Sequence, residues 1–420
     1  MSKAPRRWAG SAGAILGLAL ALALLGGVHG ARAATDFAAW LDGVRREARA
    51  AGISEATLDA TLGNVAPLAR VIELDRRQPE FTQTFWAYLD KRIDARRVER
   101  GRALLREHST LLQAVQARYG VQPRFLVAFW ALESNFGDYT GGFSVINALA
   151  TLAFDERRGA FFRTQLMDAL RIVEDGNIAP EAMQGSWAGA MGQVQFIPST
   201  FLRHAVDFDG DGRRDLWQSL PDIFASAANY LKAVGWNGGQ TWGREVRLPD
   251  GFDPGLADLK IRKSLADWQR LGVRRIDGRD LPVADMRGAV VLPAGLAGPA
   301  FLVYGNFDAI LRWNRSILYA IAVGHLADRL VGLPPLQSAR PDLEQPLSRA
   351  QVAEMQDLLA TLGYDPGAPD GVVGGRTRDA IKAFQRRVDL AADGYPTIDL
   401  LDALRGRAMA NGGQVNKAAD

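Results

Sequence analysis

The sequence predicts a mainly helical α+β protein of more than one domain. Three observations predict it. At about 100 to 200 residues per domain, 420 residues suggest two or three domains. Apolar residues recur at helical spacing over most of the chain, and two stretches break that rhythm, one strand-like and one rich in proline. With 48% hydrophobic and 23% charged residues the composition is globular, which argues against wholesale disorder.

Residues 1–33 read as an export signal. Lys3, Arg6 and Arg7 precede an apolar run from Ile15 to Leu25, and Ala31-Arg32-Ala33 follows as a cleavage site. The run is shorter than the roughly 20 residues a spanning helix needs, so an exported protein, periplasmic in a cell with two membranes, is expected. Membrane association is expected only if the signal stays uncleaved. The formal charge of +3 depends on this segment, because removing its four basic residues leaves 46 against 47 acidic ones. A nucleic-acid partner is therefore not indicated.

Residues 34–332 form the main region. From Asp36, Phe37, Trp40, Leu41, Val44 and Ala48 repeat at helical spacing, and helices with turn breaks continue to about residue 235. Residues 242–305 read as a small β-containing insertion: Arg244 to Leu248 alternates, and Gly288 to Leu292 and Phe301 to Tyr304 are short apolar runs punctuated by Pro and Gly. Ile310 to Leu330 returns to a helical pattern. Residues 333–346, with four prolines, read as a linker. Residues 347–406 read as a small helical domain. Leu347, Val352, Met355, Leu358, Leu359 and Leu362 outline one helix, Ala380, Ile381 and Phe384 a second, and Thr377 is a candidate cap between them. Residues 407–420 read as a disordered tail, and no internal repeat is evident.

The residue inventory narrows the chemistry. There is no cysteine, and the four histidines include no closely spaced pair, which excludes thiolate chemistry and a local His-x-x-x-His zinc site. A catalyst, if there is one, is expected to rely on carboxylates, and Glu133 stands out. Pro123 suits the first turn of a helix in which Phe125, Leu126, Val127, Phe129, Trp130 and Leu132 cover most of the circumference. Gly137 is a candidate stop, placing Glu133 in the last turn. Apolar neighbours and the negative helix end both disfavour an ionised carboxylate there, as a general acid requires. The alternative is a glutamate that reaches solvent or pairs with arginine.

Wider motifs favour the acid. Ala131-Leu132-Glu133-Ser134-Asn135-Phe136-Gly137 resembles the E-S-x-x-G signature of lytic murein transglycosylases. Gly185 to Gly192, Gln195-Phe196-Ile197-Pro198-Ser199, and Arg312-Trp313-Asn314-Arg315-Ser316 with Tyr319 follow in the order of the membrane-bound lytic transglycosylase B family, over roughly residues 36 to 330. The resemblance implies a lysozyme-like catalytic domain acting on peptidoglycan glycan strands. It implies cleavage of the β-1,4 bond between N-acetylmuramic acid and N-acetylglucosamine, with Glu133 as acid, then base, in closing a 1,6-anhydro ring. Substrate assistance by the N-acetyl group removes the need for a second carboxylate.

By the same resemblance Ser186, Gln195 and Asn314 hydrogen-bond substrate, and Tyr319 positions Glu133 or the N-acetyl group. Trp313 stands where relatives often have tyrosine, so packing on a sugar face is expected of it rather than hydrogen bonding. A helix-packing loop at residues 185–192 and a core tyrosine at 319 are the structural alternatives. Hydrolysis by a muramidase and a non-catalytic wall-binding scaffold are the alternative functions.

Asp207, Asp209 and Asp211 with Gly212 match the opening of a calcium loop, in which Arg213 contributes a backbone carbonyl. Gln218 stands where the closing glutamate belongs. Family relatives close a longer loop with a later aspartate, so Asp222 is the preferred substitute. The alternative is an Asx-turn loop with solvated acids. The calcium would be structural, and no organic cofactor is indicated. Finally, Asp370 to Thr377 with Ala383-Phe384-Gln385 resembles the peptidoglycan-binding type 1 domain, although Val373 replaces a usual aromatic.

Overall fold

A computed structural model describes residues 36–76, 83–155, 157–340 and 346–417. The expected export signal and most of the second half of the expected linker lie outside the described residues. Among the described residues no helix is long and apolar enough to cross a membrane. Of the described residues 54% are helical and 7% are in strands, which makes the fold mainly α with small sheets. It divides into two compact units, the first holding residues up to Glu73 with Gly141–Ala190 and Ile197–Leu202, the second the rest.

The first unit is helical because its apolar residues fall on single faces. The helix over residues 36–50 buries Phe37, Val44 and Ala48, the periodic positions. Phe37 and Trp40 pack their rings against Phe154, which ends the helix Val145–Phe154. That helix is buried nearly all round, and Gly159–Glu174 packs beside it. A two-stranded antiparallel ribbon pairs β1 (Phe143–Ser144) with β2 (Gln184–Gly185).

In the second unit the helix Pro123–Ser134 is central. Seven of its apolar side chains are buried, and it packs against Ile317–Leu330, Ala95–Glu107 and Ser109–Tyr119. The sheet falls within the expected stretch, with β3 (Gly243–Arg247), β4 (Lys263–Ser264), β5 (Arg274–Arg275), β6 (Arg287–Val291) and β7 (Ala300–Val303) in the order β4-β6-β7-β3-β5. Each neighbouring pair is antiparallel. Trp268, Leu302 and Val290 anchor a core of its own. Helices Gly305–Trp313 and Ile317–Leu330 follow it, parted at Asn314–Ser316.

One buried carboxylate joins these parts. Asp328 accepts from Trp242 Nε1 at 3.0 Å and pairs with Arg244 of β3 at 3.0 Å and Arg124 of the central helix at 3.2 Å. Burial pushes the Asp328 carboxyl above its ordinary range, and the two arginines oppose that shift. Gly324, one turn earlier, is required for the contact, since a Cβ there would lie 2.1 Å from the Trp242 ring.

The C-terminal residues form three helices, Arg349–Thr361, Gly375–Arg387 and Ile398–Lys417, around Met355, Phe384 and Leu401. Two expectations are corrected. The stretch expected to be a disordered tail is helical to Lys417, because it continues a helix whose Leu400, Leu401 and Leu404 are already in the core. Thr377 is not the cap: Gly374 is, and the Thr377 hydroxyl donates to the Pro366 carbonyl at 3.0 Å.

A repeat that the sequence conceals also appears here. Gln356 accepts from Gly371 N–H and donates to Asp370, and Gln385 does the same with Gly394 and Asp393. Only the buried glutamine and the Asp-Gly turn recur, too little to register as sequence periodicity.

Burial brings the His325 imidazole down to about 4, with Arg329 adding to the effect. Its folded value lies below the ordinary one, so between about pH 6.5 and 4 the unfolded chain binds more protons and stability falls with falling pH. Urea unfolding of wild type and His325→Phe across that window should show the steeper acid loss in wild type. A wild-type profile no steeper than the variant's counts against a buried neutral imidazole.

Candidate active site

Glu133 sits in the last turn of its helix, as expected, and is half-buried. The stop comes two residues earlier than Gly137. Asn135 takes the left-handed conformation (φ 52°), and Phe136 (61°) and Gly137 (84°) continue it. Asn tolerates this region through its short polar side chain, whereas Phe136 costs about 1–2 kcal/mol. The turn is clamped to hold it. Asn135 Nδ2 donates to Asp138 Oδ2 at 2.9 Å, Arg100 grips Asp138 with both terminal nitrogens, and Ser134 Oγ accepts from Gly137 N–H at 3.0 Å.

Two donors converge on one glutamate oxygen. The Trp313 indole N–H reaches Glu133 Oε1 at 2.8 Å, and the Tyr319 hydroxyl donates to the same atom. Trp313 is the last residue of the helix Gly305–Trp313, and Tyr319 lies in the first turn of the next. The break at Asn314–Ser316 lets consecutive helices present both donors. Burial first, and then the facing Glu133 charge, raise the Tyr319 phenol well above its ordinary range, so it stays protonated as a donor.

Trp313 therefore corrects the expectation. It hydrogen-bonds the acid, because an indole N–H reaches as a phenol would. Its ring is packed by Phe129 at 4.4 Å, Tyr230 at 5.1 Å and Phe196 at 5.3 Å. Phe129 packs on the rings of both donors, while its neighbour Trp130 points elsewhere and donates to Gln193 Oε1 at 2.6 Å. The two donors stabilise negative charge on the carboxylate and oppose the desolvation that these rings impose.

The other expected residues divide. Gln195 has φ 51°, and its Nε2 donates to the carbonyls of Thr140 at 2.8 Å and Gly192 at 3.0 Å, leaving Oε1 for an outside donor. Exposed Asn314 accepts from Ser316 N–H at 3.0 Å through Oδ1, leaving its amide N–H groups. Ser186 belongs to the first unit, where its Oγ accepts from Ala190 N–H at 3.0 Å and closes its own loop.

Gln193 and Tyr230 were not singled out from sequence. Gln193 bridges Trp130 and the Trp217 carbonyl, and Tyr230 donates to the Arg312 carbonyl at 2.8 Å beside Trp313. Their only signal was a polar residue inside an otherwise recognised motif and an aromatic residue in an amphipathic helix.

In the acidic loop, oxygens of Asp207, Asp209 and Asp211 lie within 4.8 Å of one another, and all three residues are exposed. Asp222 stands outside this cluster. Buried at the start of its helix, it accepts from Phe208 N–H at 2.6 Å and Asp215 N–H at 2.8 Å, so its carboxylate closes the loop through the backbone. The Arg213 side chain turns back onto Asp211 at 3.1 Å.

Comparison with known proteins is decisive at this point. The sequence model described as the transglycosylase SLT domain matches residues 36–328. The chain belongs to that family. A peptidoglycan binding domain matches residues 348–404 of this transglycosylase-family chain. Membrane-bound lytic murein transglycosylase B of Escherichia coli K12 is 33% identical over 243 residues, 57% of this chain. The match spans 65% of that relative's length, just under two thirds.

Among solved structures, SltB3 from Pseudomonas aeruginosa in complex with NAG-anhNAM-pentapeptide is 50% identical, with a TM-score of 0.85 over 88% of this chain and 99% of that one. The Escherichia coli lytic transglycosylase Slt35 in complex with calcium is 29% identical, with a TM-score of 0.60 over 71% and 92%. The lysozyme-like, mainly helical fold class is thereby established.

Each donor to Oε1 is a hydrogen bond to a charged group, worth about 1.5–3 kcal/mol. Tyr319→Phe and Trp313→Phe should each lower turnover of purified sacculi by roughly 10- to 100-fold in proteins that circular dichroism shows to be still folded. Wild-type turnover in both would show that neither donor serves the acid.

Proposed function

We propose that this protein is an exported lytic transglycosylase that cuts the β-1,4 bond between N-acetylmuramic acid and N-acetylglucosamine and leaves 1,6-anhydromuramoyl ends. The observation that carries the reading is Glu133, held at its helix end with Trp313 and Tyr319 both on Oε1. Family membership supports the reaction class. Export rests on the N-terminal signal pattern.

In this reading Glu133 delivers the proton while its Oε1 accepts the hydrogen bonds of Trp313 and Tyr319. Proton transfer to the glycosidic oxygen breaks its bond to the muramic C1, while the N-acetyl oxygen supports that carbon from the other side. The carboxylate left behind is stabilised by the same two donors. It then takes the proton of the sugar's 6-hydroxyl as that oxygen bonds to C1. Glu133 ends protonated, ready for another turn, and no water enters.

In this reading Gln195 and Asn314 offer their remaining polar atoms to the sugars. The C-terminal domain binds peptidoglycan and keeps the catalyst near a polymeric substrate, raising its effective concentration. Asp207, Asp209 and Asp211, with the Arg213 carbonyl, would hold calcium, a hard cation suited to oxygen ligands. It would stiffen the loop that Asp222 closes, and it takes no part in the chemistry.

Two measurements follow. Sacculi digested in 18O-labelled water should yield unlabelled anhydro-ended muropeptides by mass spectrometry, and Glu133→Gln should release almost none. Labelled reducing ends would identify a hydrolase, and undiminished release by Glu133→Gln would identify a scaffold. For the loop, added calcium should raise the unfolding temperature of wild type and leave that of Asp209→Asn unmoved, with catalysis persisting in a chelator. Equal responses from the two proteins would rule the loop out as the calcium site.

A further inference from the structure

We infer that Tyr139 is an aromatic platform on which a pyranose ring of the glycan strand stacks beside Glu133. The inference rests on the transglycosylase reading and adds a binding residue to it. Tyr139 is 68% exposed, an unusual position for a large aromatic side chain. Its ring is thus spared from the core, and burial does not account for it.

The backbone beneath the ring is held on every side. Tyr139 N–H donates to the carbonyl of Ser134, the residue after Glu133, at 3.0 Å. Asp138, just before it, is gripped by Arg100 and by Asn135 Nδ2 at 2.9 Å. The carbonyl of Thr140, just after it, accepts from Gln195 Nε2 at 2.8 Å. The backbone that carries the ring is thus fixed, so little backbone ordering entropy remains to be lost when a ligand covers it.

The occupant follows from the surroundings. The same turn that fixes Tyr139 ends the glutamate helix, and Gln195, which holds Thr140, keeps its Oε1 for an outside donor. A ligand engaging this surface must therefore present an apolar face to the ring and hydroxyl or amide N–H groups to its neighbours. A pyranose ring has both, with axial C–H groups on one face and polar groups around the edge. Aromatic faces bearing a slight negative charge favour such C–H contacts.

The test compares Tyr139→Ala and Tyr139→Phe. Kinetics use purified peptide-free glycan strands, and affinity for the same strands is measured in a Glu133→Gln background. Tyr139→Ala should raise KM and weaken binding by roughly 5- to 30-fold with kcat close to wild type. Tyr139→Phe should retain wild-type values, because the ring face and not the hydroxyl is used. Unfolding temperatures should match, since the ring supports no core. Wild-type KM and affinity in Tyr139→Ala would overturn the proposal, as would a Tyr139→Phe variant impaired as severely as alanine. Should wild type produce reducing ends instead of anhydro ends, the transglycosylase reading fails by itself, and the KM comparison still decides Tyr139.

Discussion

The arrangement around Glu133 depends on one oxygen atom. Glu133 Oε1 receives an indole N–H and a phenol O–H from the ends of two consecutive helices, and this fixes where the carboxyl group lies. A carboxyl group serving as both acid and base needs opposed influences. Apolar rings favour the neutral form, while two donors stabilise the charged form once the proton has gone.

Holding that oxygen in place requires support from well beyond it. The turn after Glu133 runs through three left-handed residues, and strain of this kind persists only where surrounding contacts enforce it. Arg100, Asp138, Asn135 and Ser134 supply those contacts. On the other side, Asp328 ties the Tyr319 helix to the glutamate helix and to the sheet through two arginines and an indole. A buried carboxylate of this kind gives little net stability, yet removing one partner leaves an uncompensated charge. Its value here is geometric, because it sets the relation between the helix bearing the acid and the helix bearing its tyrosine donor.

The same economy appears in the accessory parts. In the acidic loop the buried Asp222 spends its charge on backbone N–H groups, so the exposed aspartates can converge without competing for it. In the C-terminal domain two buried glutamines each satisfy an Asp-Gly turn with both ends of the amide. In each case one buried polar side chain organises a loop that presents other residues outward.

Much of this was legible in the sequence. The helix around Glu133, the β-containing insertion, the acidic triplet and the C-terminal helical domain all follow from periodicity, turn residues and local spacing, which act over a few neighbouring residues. The family motifs in their order marked Glu133, Gln195, Asn314 and Tyr319. Only the tertiary structure gave Trp313 a hydrogen bond to Glu133, gave Asp222 its backbone partners, and continued the final helix through an expected tail. The first rests on a contact between residues 180 positions apart, the second on backbone groups 14 and 7 positions away across a folded loop, and the third on which face of a helix finds a core to bury itself in. A linear pattern records what a residue can offer, and the fold alone decides what it meets.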